Sequence, residues 1–332
     1  MSTRCRVWRA TSGAVGTAAT LAAIGLALGG CGGGGGGAPT APSPPATPPP
    51  PIALGDPVDY QVLGSGRLCF ERLVASGSGG GVFVIDAGAR RAWGFATADF
   101  VGGMFQEPAI SPDGLRIAYS SYGSFSSNWD IFVMLADGGY PHSQAAGSGI
   151  ESLPAWTPGS ELLWSDSESN LYLESESREA VSVTGARVVS AYGGLQMRRG
   201  SSYATLVSGG AATLLEAPAF SPDGAELAWV RVRRENWGAP TGMDIVVADP
   251  DGGHPETIAT LPLPGGLMNW MGGNDLSLAW SPDGRRLAFN RPESSTTGHV
   301  FVVSRDGASL TQITSAPGVF DRSVSWSYLP RP

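Results

Sequence analysis

The sequence predicts an all-β fold, a six-bladed β-propeller, from three observations. A hairpin pattern recurs at 108–120 (P-A-I-S-P-D-G-L-R-I-A-Y-S), 218–230 and 278–290, and a worn copy stands at 154–166. From residue 58 onward, short alternating apolar runs are separated by Gly, Pro, Asp and Ser clusters, which is typical of strands and turns. These runs sort into six groups of about 46 residues, a natural length for a propeller blade.

The turn of the repeat explains why it forms a hairpin. In Ser221-Pro222-Asp223-Gly224 the proline presets φ for the first corner, the aspartate accepts from nearby backbone N–H groups, and the glycine takes a positive φ. The same structural role is expected of Asp113, Gly114, Asp283 and Gly284. A hairpin cannot bury its own apolar face, so it must stack on further copies.

The first group has three strand-like runs, at 67–73, 81–86 and 91–97, and lacks an inner strand. At the other end of the chain, the run V-S-W-S-Y at 324–328 has no group of its own. We therefore predict that the C-terminal strand pairs with the N-terminal blade and closes the ring. The three intact repeats supply the first two strands of the second, fifth and sixth groups.

The stretch between the second and fifth groups is long enough for two groups. We assign the third group to the runs at 155–158, 161–165, 170–174 and 180–184. The fourth group then takes 187–192, 195–199, 203–208 and 212–216, and it has lost the S-P-D-G turn.

Residues 1–31 have the features of a secretory signal peptide. Three arginines (Arg4, Arg6 and Arg9) precede an apolar run at 10–28. The segment ends in L-G-G-C, which resembles the bacterial lipoprotein cleavage box and implies that Cys31 carries the lipid of the mature protein. A transmembrane anchor is the alternative, but the run is short for a bilayer span and is broken by Thr and Gly.

Residues 32–57 read as a disordered tether. Six glycines are followed by a Pro/Ala/Ser/Thr run, which has little to bury. Recognition of the polyproline part by a partner is the alternative. Glycine rather than aspartate follows Cys31, and resemblance to Gram-negative lipoproteins then favours the outer membrane, with the propeller (58–332) facing the periplasm.

Charge and cysteine content restrict the partners. The chain has no lysine, and removal of the three signal arginines leaves 18 arginines against 29 acidic residues. This acidic balance excludes nucleic acid as an expected partner, because phosphate binding requires a positive surface. Cys69 is the one cysteine of the propeller region, and we expect its side chain to be packed as an apolar residue. We expect the protein to be a monomer.

No motif of a known catalytic class is present. The sequence has no G-x-S-x-G, H-E-x-x-H or phosphate loop, so no catalytic residue and no cofactor are expected. His142, His254 and His299 are scattered, and nothing in the sequence brings them together as metal ligands. The stretch 249–252 is faintly like a calcium loop but reads better as a turn.

The repeats carry a family resemblance. S-P-D-G, followed by a strand such as I-A-Y-S and then by D-I-F-V-M-x-A-D-G-G, resembles the repeats of TolB-like β-propellers. The resemblance covers most of 67–328 and is strongest in the second, fifth and sixth groups. It implies a six-bladed periplasmic propeller that is used for protein contacts.

Aromatic residues and methionines gather in the long loops that lead from second to third strands and from blade to blade. Loops on a surface are usually polar, so this composition predicts a binding face on one side of the propeller. The candidates are Phe105, Tyr122, Phe125, Trp129, Trp237, Met268, Trp270 and Met271. Alternatively, these rings fold back and plug the channel mouth.

Two functions from different classes remain open. The first is a lipid-anchored, non-catalytic scaffold of the cell envelope that binds a protein or an envelope glycan. The alternative is an envelope carbohydrate-active enzyme, a lyase or hydrolase, with its site at the channel mouth. Convergent polar side chains with perturbed pKa values at that mouth would favour the enzyme, and an apolar rim would favour the scaffold.

Overall fold

The computed structural model is built from short strands joined by tight turns. It describes residues 6–8, 53–74, 80–96, 104–122, 128–145, 149–167, 179–191, 193–199, 202–235, 238–264 and 276–327. Within these ranges the one helix is α1 (Tyr60–Leu63), a single turn capped by the Asp59 carboxylate, which accepts from the Gln61 N–H. Searched over the same ranges, no helix is long and apolar enough to span a membrane.

The strands of the first half follow in chain order. They are β1 (Arg6–Trp8), β2 (Arg67–Val74), β3 (Gly81–Asp86), β4 (Arg91–Ala96), β5 (Met104–Ile110), β6 (Arg116–Tyr122), β7 (Trp129–Leu135), β8 (His142–Ala145), β9 (Ile150–Trp156), β10 (Leu162–Ser167), β11 (Ala180–Val181) and β12 (Arg187–Ala191).

The second half continues the pattern. It contains β13 (Gly194–Arg199), β14 (Ser202–Val207), β15 (Thr213–Phe220), β16 (Leu227–Arg234), β17 (Pro240–Ala248), β18 (Glu256–Pro262), β19 (Leu278–Trp280), β20 (Arg286–Pro292), β21 (Gly298–Ser304), β22 (Leu310–Gln312) and β23 (Val319–Trp326).

These strands form the six blades of a β-propeller, each an antiparallel sheet. From the inner to the outer strand, the first blade is β23-β2-β3-β4, the second β5-β6-β7-β8, the fourth β11-β12-β13-β14, the fifth β15-β16-β17-β18 and the sixth β19-β20-β21-β22. The described part of the third blade consists of β9 and β10, with β1 paired to β10, and the run predicted at 170–174 lies outside the described residues. The all-β propeller predicted from the repeats is the observed fold.

The C-terminal strand pairs with the N-terminal blade, as the unmatched run at 324–328 predicted. β23 lies antiparallel to β2, with Trp326 opposite Leu68 and Val319 opposite Val74. One parallel pair, between Gly298 and Phe320, joins the sixth blade to the first.

The structure corrects the division of the third and fourth blades. The run at 180–184, assigned from sequence to the third blade, begins the fourth: Ala180–Val181 is its inner strand and Ser182 to Gly185 is a turn. The Gly185 N–H donates to the Ser182 carbonyl at 3.0 Å, the same backbone bond as that from Gly114 to Ser111. The run at 212–216 correspondingly belongs to β15 of the fifth blade.

Two segments near the N-terminus lie against the propeller. Arg6–Trp8, within the predicted signal segment, pairs antiparallel with β10, and the signal segment itself stays a prediction. Residues 53–57, assigned to the tether, are packed on the propeller. We call residues 53–66 the strap, because Leu54 and Leu63 are buried between the sixth and first blades.

The apolar core is divided into clusters that lie between neighbouring blades. One cluster joins the first and second blades through Val84, Phe95 and Ile117, and another joins the fifth and sixth through Val230, Ile245 and Phe289. Each blade therefore buries its face on its neighbour, which is how a repeat that is too small for its own core becomes stable.

Candidate functional site: the central channel and the loop face

The inner strands of all six blades line one central cavity. It offers about 100 Å³ to the centre of a water molecule, and a water needs only about 10–15 Å³ on this measure. Small side chains stand at matching positions of four inner strands: Ala109, Ala155, Ala219 and Ala279. The cavity thus has room for a few waters within walls that are both polar and apolar.

A bulge occurs at the same position of four inner strands. Glu107, Leu153, Ala217 and Ser323 have φ values of 60°, 55°, 51° and 54°, each beside a shift in strand register. A left-handed conformation is unfavourable for these side chains, so neighbouring contacts must hold it. At three of the bulges, those of Glu107, Leu153 and Ser323, a backbone N–H leaves the sheet ladder and donates to a side chain of an adjacent blade.

Polar side chains of the channel wall bind these backbone groups. One Glu107 carboxylate oxygen accepts from the Leu153 N–H of the next blade at 2.8 Å and from the Ser120 hydroxyl at 3.0 Å. The Ser325 hydroxyl oxygen accepts from the Ile110 N–H at 3.1 Å, and that of Ser277 accepts from the Val324 N–H at 2.8 Å. Three polar groups of the wall therefore hold neighbouring blades together.

Two further carboxylates lie near the inner strands. Glu71 is buried, pairs with Arg322 at 3.1 Å and accepts from the Glu107 N–H at 3.3 Å. Burial raises the pKa of Glu71, although Arg322 opposes the shift. Burial also raises the pKa of Glu216 to about 8, against the effects of the Arg234 guanidinium and the Ser190 hydroxyl.

The S-P-D-G turns lie at one end of the strands, which we call the turn face (111–114, 221–224 and 281–284). In each turn the serine hydroxyl donates to the aspartate, at 2.5 Å for Asp113 and 2.6 Å for Asp223 and Asp283. Gly114, Gly224 and Gly284 have φ values of 69°, 74° and 68°. The serine oxygen then accepts an N–H at or just before the start of the following strand, so the turn forms a closed local hydrogen-bond network.

The opposite end of the strands, which we call the loop face, carries Tyr122 and Trp129. Tyr122 ends β6 and Trp129 begins β7, so the pair flanks the connection between the second and third strands of the blade. The ring centroids are 5.6 Å apart with a tilt of 59°, and Tyr122 is 38% exposed. This packed but partly exposed aromatic pair is the described part of the predicted binding face.

Phe105, another candidate for that face, is a core residue. It lies within β5 rather than in a loop, is 4% exposed, and its ring centroid lies 4.3 Å from that of Tyr119. Its alternation with the outward residues of β5 places the ring between the first and second blades. The remaining candidates fall outside the described residues: Phe125, Trp237, Met268, Trp270 and Met271, together with Cys31.

The three histidines lie in three different blades. His142 is exposed in the second blade, His254 contacts Asp249 at 2.6 Å in the fifth, and His299 is buried in the sixth with Glu293 at 3.8 Å. Within the described ranges, no three His, Cys, Asp or Glu side chains are grouped as a metal site would require.

Sequence reasoning missed the polar ring of the channel and the fourth-blade turn. A search for Ser-x-x-Gly before an alternating strand would have found Ser182 to Gly185, since the serine bonds survive without proline and aspartate. No local signal marks Glu107 or Ser277, because their partners lie in other blades.

Comparison with known proteins bears on the fold. No family model and no curated protein matches the sequence. Among solved structures, TolB from Acinetobacter baumannii aligns with a TM-score of 0.58 at 16% identity, covering 82% of this chain and 68% of that one. The chain thus shares the propeller fold of TolB.

More distant alignments involve enzymes. The GH74 enzyme of Niastella koreensis aligns at 12% identity with a TM-score of 0.44, covering 75% of this chain and 46% of that one. The oligogalacturonate lyase of Vibrio parahaemolyticus aligns at 12% identity with a TM-score of 0.32, covering 76% and 62% of the two chains. Both alignments are too distant to support an inference about chemistry.

Proposed function

We propose that this protein is a non-catalytic binding scaffold of the bacterial cell envelope, built on a TolB-like propeller and attached to the membrane by a lipid on Cys31. The observation that carries the proposal is the use of the polar channel residues. Glu107, Ser277 and Ser325 accept backbone N–H groups of neighbouring blades, so these side chains serve to hold the propeller together. The resemblance of the repeats to TolB-like propellers, which implies protein contacts, points the same way.

The loop face is the proposed binding surface. Tyr122 and Trp129 present a packed aromatic pair that is partly exposed, a combination that suits a hot spot for a protein partner or a stacking platform for a sugar ring. Their packing against each other lowers the entropy that binding would cost. An envelope protein is the partner we propose, and a glycan is the competing outcome of the experiment below.

The binding test uses the pair and a matched control in the same blade. Tyr122→Ala combined with Trp129→Ala should abolish crosslinked capture of the envelope partner by the full lipidated protein. Tyr140→Ala removes an aromatic residue that is 54% exposed in a turn-face connection, and it should leave capture unchanged. Both proteins should melt within a few degrees of the wild type.

Two outcomes contradict the binding proposal. Unchanged capture by the double variant would remove the loop face from the interaction, and an equal loss in Tyr140→Ala would show a nonspecific effect. Co-sedimentation with purified envelope glycan that depends on the same two rings would assign the face to a sugar ligand instead.

The lipid anchor is tested separately, with Cys5 as the control. Cys31→Ala should leave the protein without lipid and with its signal segment attached, which intact mass and membrane fractionation measure. Cys5→Ala lies in the predicted signal segment and should be processed and lipidated normally. Normal mass and membrane fractionation of Cys31→Ala would eliminate the anchor.

A further inference from the structure

The central cavity contains a buried hydroxyl group that no other part of the described chain uses. Ser323 lines the cavity and is 4% exposed, yet within the described residues its hydroxyl has no hydrogen-bond partner. Buried polar side chains normally have one. Ser325, two residues further along β23, also lines the cavity. Its oxygen accepts from the Ile110 N–H at 3.1 Å, but its own proton has no acceptor among the described side chains and backbone groups. β23 therefore presents two hydroxyl donors to the cavity.

The fold does not account for the Ser323 hydroxyl. The Ser277 hydroxyl, also in the cavity wall, is fully used, because it donates to Asn290 Oδ1 at 2.8 Å and accepts from the Val324 N–H at 2.8 Å. The bulge itself does not require a serine either, since Ala217 takes the same left-handed conformation at the matching position of β15. Ser323 thus supplies neither a contact between blades nor a special backbone preference.

The space in front of these hydroxyls has the volume of a small ligand. The cavity offers about 100 Å³ to the centre of a water molecule, and each water needs only about 10–15 Å³ on this measure. Several waters occupy about the volume of one sugar ring, whereas an oligosaccharide is larger than the cavity. Alanines open this space, and large apolar side chains, among them Trp156 and Phe220, complete the lining. Such a mixture of apolar surface and a few polar groups is typical of small-molecule sites.

The charges around the cavity balance each other. Two carboxylates line it, those of Glu107 and Glu179. Glu179 is itself paired with two guanidinium groups, those of Arg187 at 3.3 Å and Arg198 at 3.6 Å. Two negative and two positive groups leave no net charge to attract an ion of either sign. Because burying a charge without a compensating partner is costly, the cavity favours a neutral ligand.

We infer that the central cavity is a binding site for a small, neutral, hydroxylated molecule of the size of one monosaccharide. Each hydroxyl of such a ligand both accepts and donates, so it can accept from Ser323 or Ser325 and donate to a neighbouring oxygen. The carbon-bound hydrogens of its ring then contact the apolar wall. This site is separate from the loop face, so the failure of either proposal leaves the other standing.

The test compares three sugars with the same ring on the full protein, in a detergent that has no sugar headgroup. Glucose is neutral, glucuronate is an anion, and glucosamine is a cation in mildly acidic buffer. Saturation-transfer NMR titrations should show saturable binding of glucose and binding about tenfold weaker for both charged sugars, because the cavity offers neither of them a compensating charge. The inference is overturned if glucose shows no saturable binding, or if either charged sugar binds as tightly as glucose.

Variants place the sugar in the cavity. Ser323→Ala should weaken glucose binding about tenfold and leave the melting temperature unchanged, since no described protein group depends on that hydroxyl. The matched control Ser309→Ala, at an exposed serine between β21 and β22, should alter neither. Ala219→Val narrows the cavity and should abolish glucose binding. If glucose binds to Ser323→Ala and to Ala219→Val as tightly as to the wild type, the sugar lies outside the cavity and the inference is overturned.

Discussion

In both the first and the second blade, the same pair of hydrogen bonds joins the inner strand to the strand next to it. In the second blade a four-residue turn also connects these two strands, whereas in the first blade they come from opposite ends of the sequence. In the second blade, the Ser111 N–H donates to the Arg116 carbonyl at 2.8 Å, and the Arg116 N–H donates to the Ser111 hydroxyl at 2.9 Å. In the first blade, the Ser327 N–H donates to the Arg67 carbonyl at 3.0 Å, and the Arg67 N–H donates to the Ser327 hydroxyl at 2.8 Å. The first blade therefore has the same two hydrogen bonds as the second, although it has no turn between the two strands.

The strap supplies what the missing turn would have contributed. Arg72 of β2 pairs with Asp321 of β23 at 2.7 Å and with Asp56 of the strap at 2.8 Å, and all three side chains are buried. The Leu54 carbonyl accepts from the same guanidinium at 2.9 Å. A turn holds two strands together at almost no entropic cost, whereas joining distant ends requires contacts that offset the loop-closure entropy. The comparison shows where those contacts are.

Removal of the C-terminal strand should have the largest effect. Deleting 322–332 removes Arg322, Trp326 and Ser327 and leaves two unpaired sheet edges. We expect insoluble protein, or loss of cooperative unfolding in a calorimeter. Deleting only 328–332 keeps β23 and is the control. A soluble 322–332 deletion that melts like the control would show that β23 is not needed to hold the blades.

Replacing Arg72 should cost about 3–5 kcal/mol in the free energy of unfolding. Arg72→Met leaves the buried Asp56 and Asp321 without their shared cation. Urea unfolding measures the loss, and Arg285→Met, at an exposed arginine, should shift stability by less than about 0.5 kcal/mol. A loss as small as that of the control would show that the strap does not secure this joint.

Glu216, between the fourth and fifth blades, should make the protein less stable as the pH rises. Its folded-state pKa is about 8, above the ordinary value of 4.5, so the contribution is complete below pH 4.5 and is lost as pH rises towards 8. We expect a decrease of about 2 kcal/mol from pH 5 to 9, since partial exposure reduces the effect of about 1.4 kcal/mol per pKa unit. Glu216→Gln should flatten the melting-temperature profile over this range. An equally steep profile in the variant would assign the pH dependence elsewhere.

The smallest expected difference in stability is between variants of Ser111 and Ser327, the serines that join inner and neighbouring strands in the second and first blades. Ser111→Ala and Ser327→Ala each remove a hydroxyl acceptor for a strand N–H, a loss of about 1 kcal/mol. We expect Ser327→Ala to be the more destabilising in thermal unfolding, because no peptide link keeps Ser327 close to Arg67. A larger loss for Ser111→Ala would show that the turn geometry depends on its serine more than the joint between the chain ends does.

Much of the fold could be predicted because it depends on local patterns. Alternating apolar residues specify which face of a strand is buried, and S-P-D-G specifies where the chain reverses. The pairing of 324–328 with the first group followed from counting strands. The same counting failed at 180–184, because the turn there keeps only its serine and glycine and the strand before it has two residues.

The candidate site was less accessible to sequence analysis. The sequence placed Tyr122 and Trp129 beside a loop, where the structure also has them, but it placed Phe105 in a loop although Phe105 lies in a strand. Glu107, Ser277 and Arg72 were not identified at all. Their roles arise from partners in other blades or in the strap, and no spacing rule connects such positions.

The sequence by itself determined the alternation of strands and turns, the number of blades, the acidic charge and the resemblance of residues 1–31 to a lipoprotein signal. These properties depend on backbone preferences and composition within a few residues of each position. Only the tertiary structure decided which strand belongs to which blade at 180–184, how the strap packs, and which acceptors meet the bulged backbone. The bond from Arg72 to Asp321 joins residues 249 positions apart, and no local preference of either residue selects the other. Such contacts are selected by the packing of blade on blade, which brings together residues that are distant in the sequence.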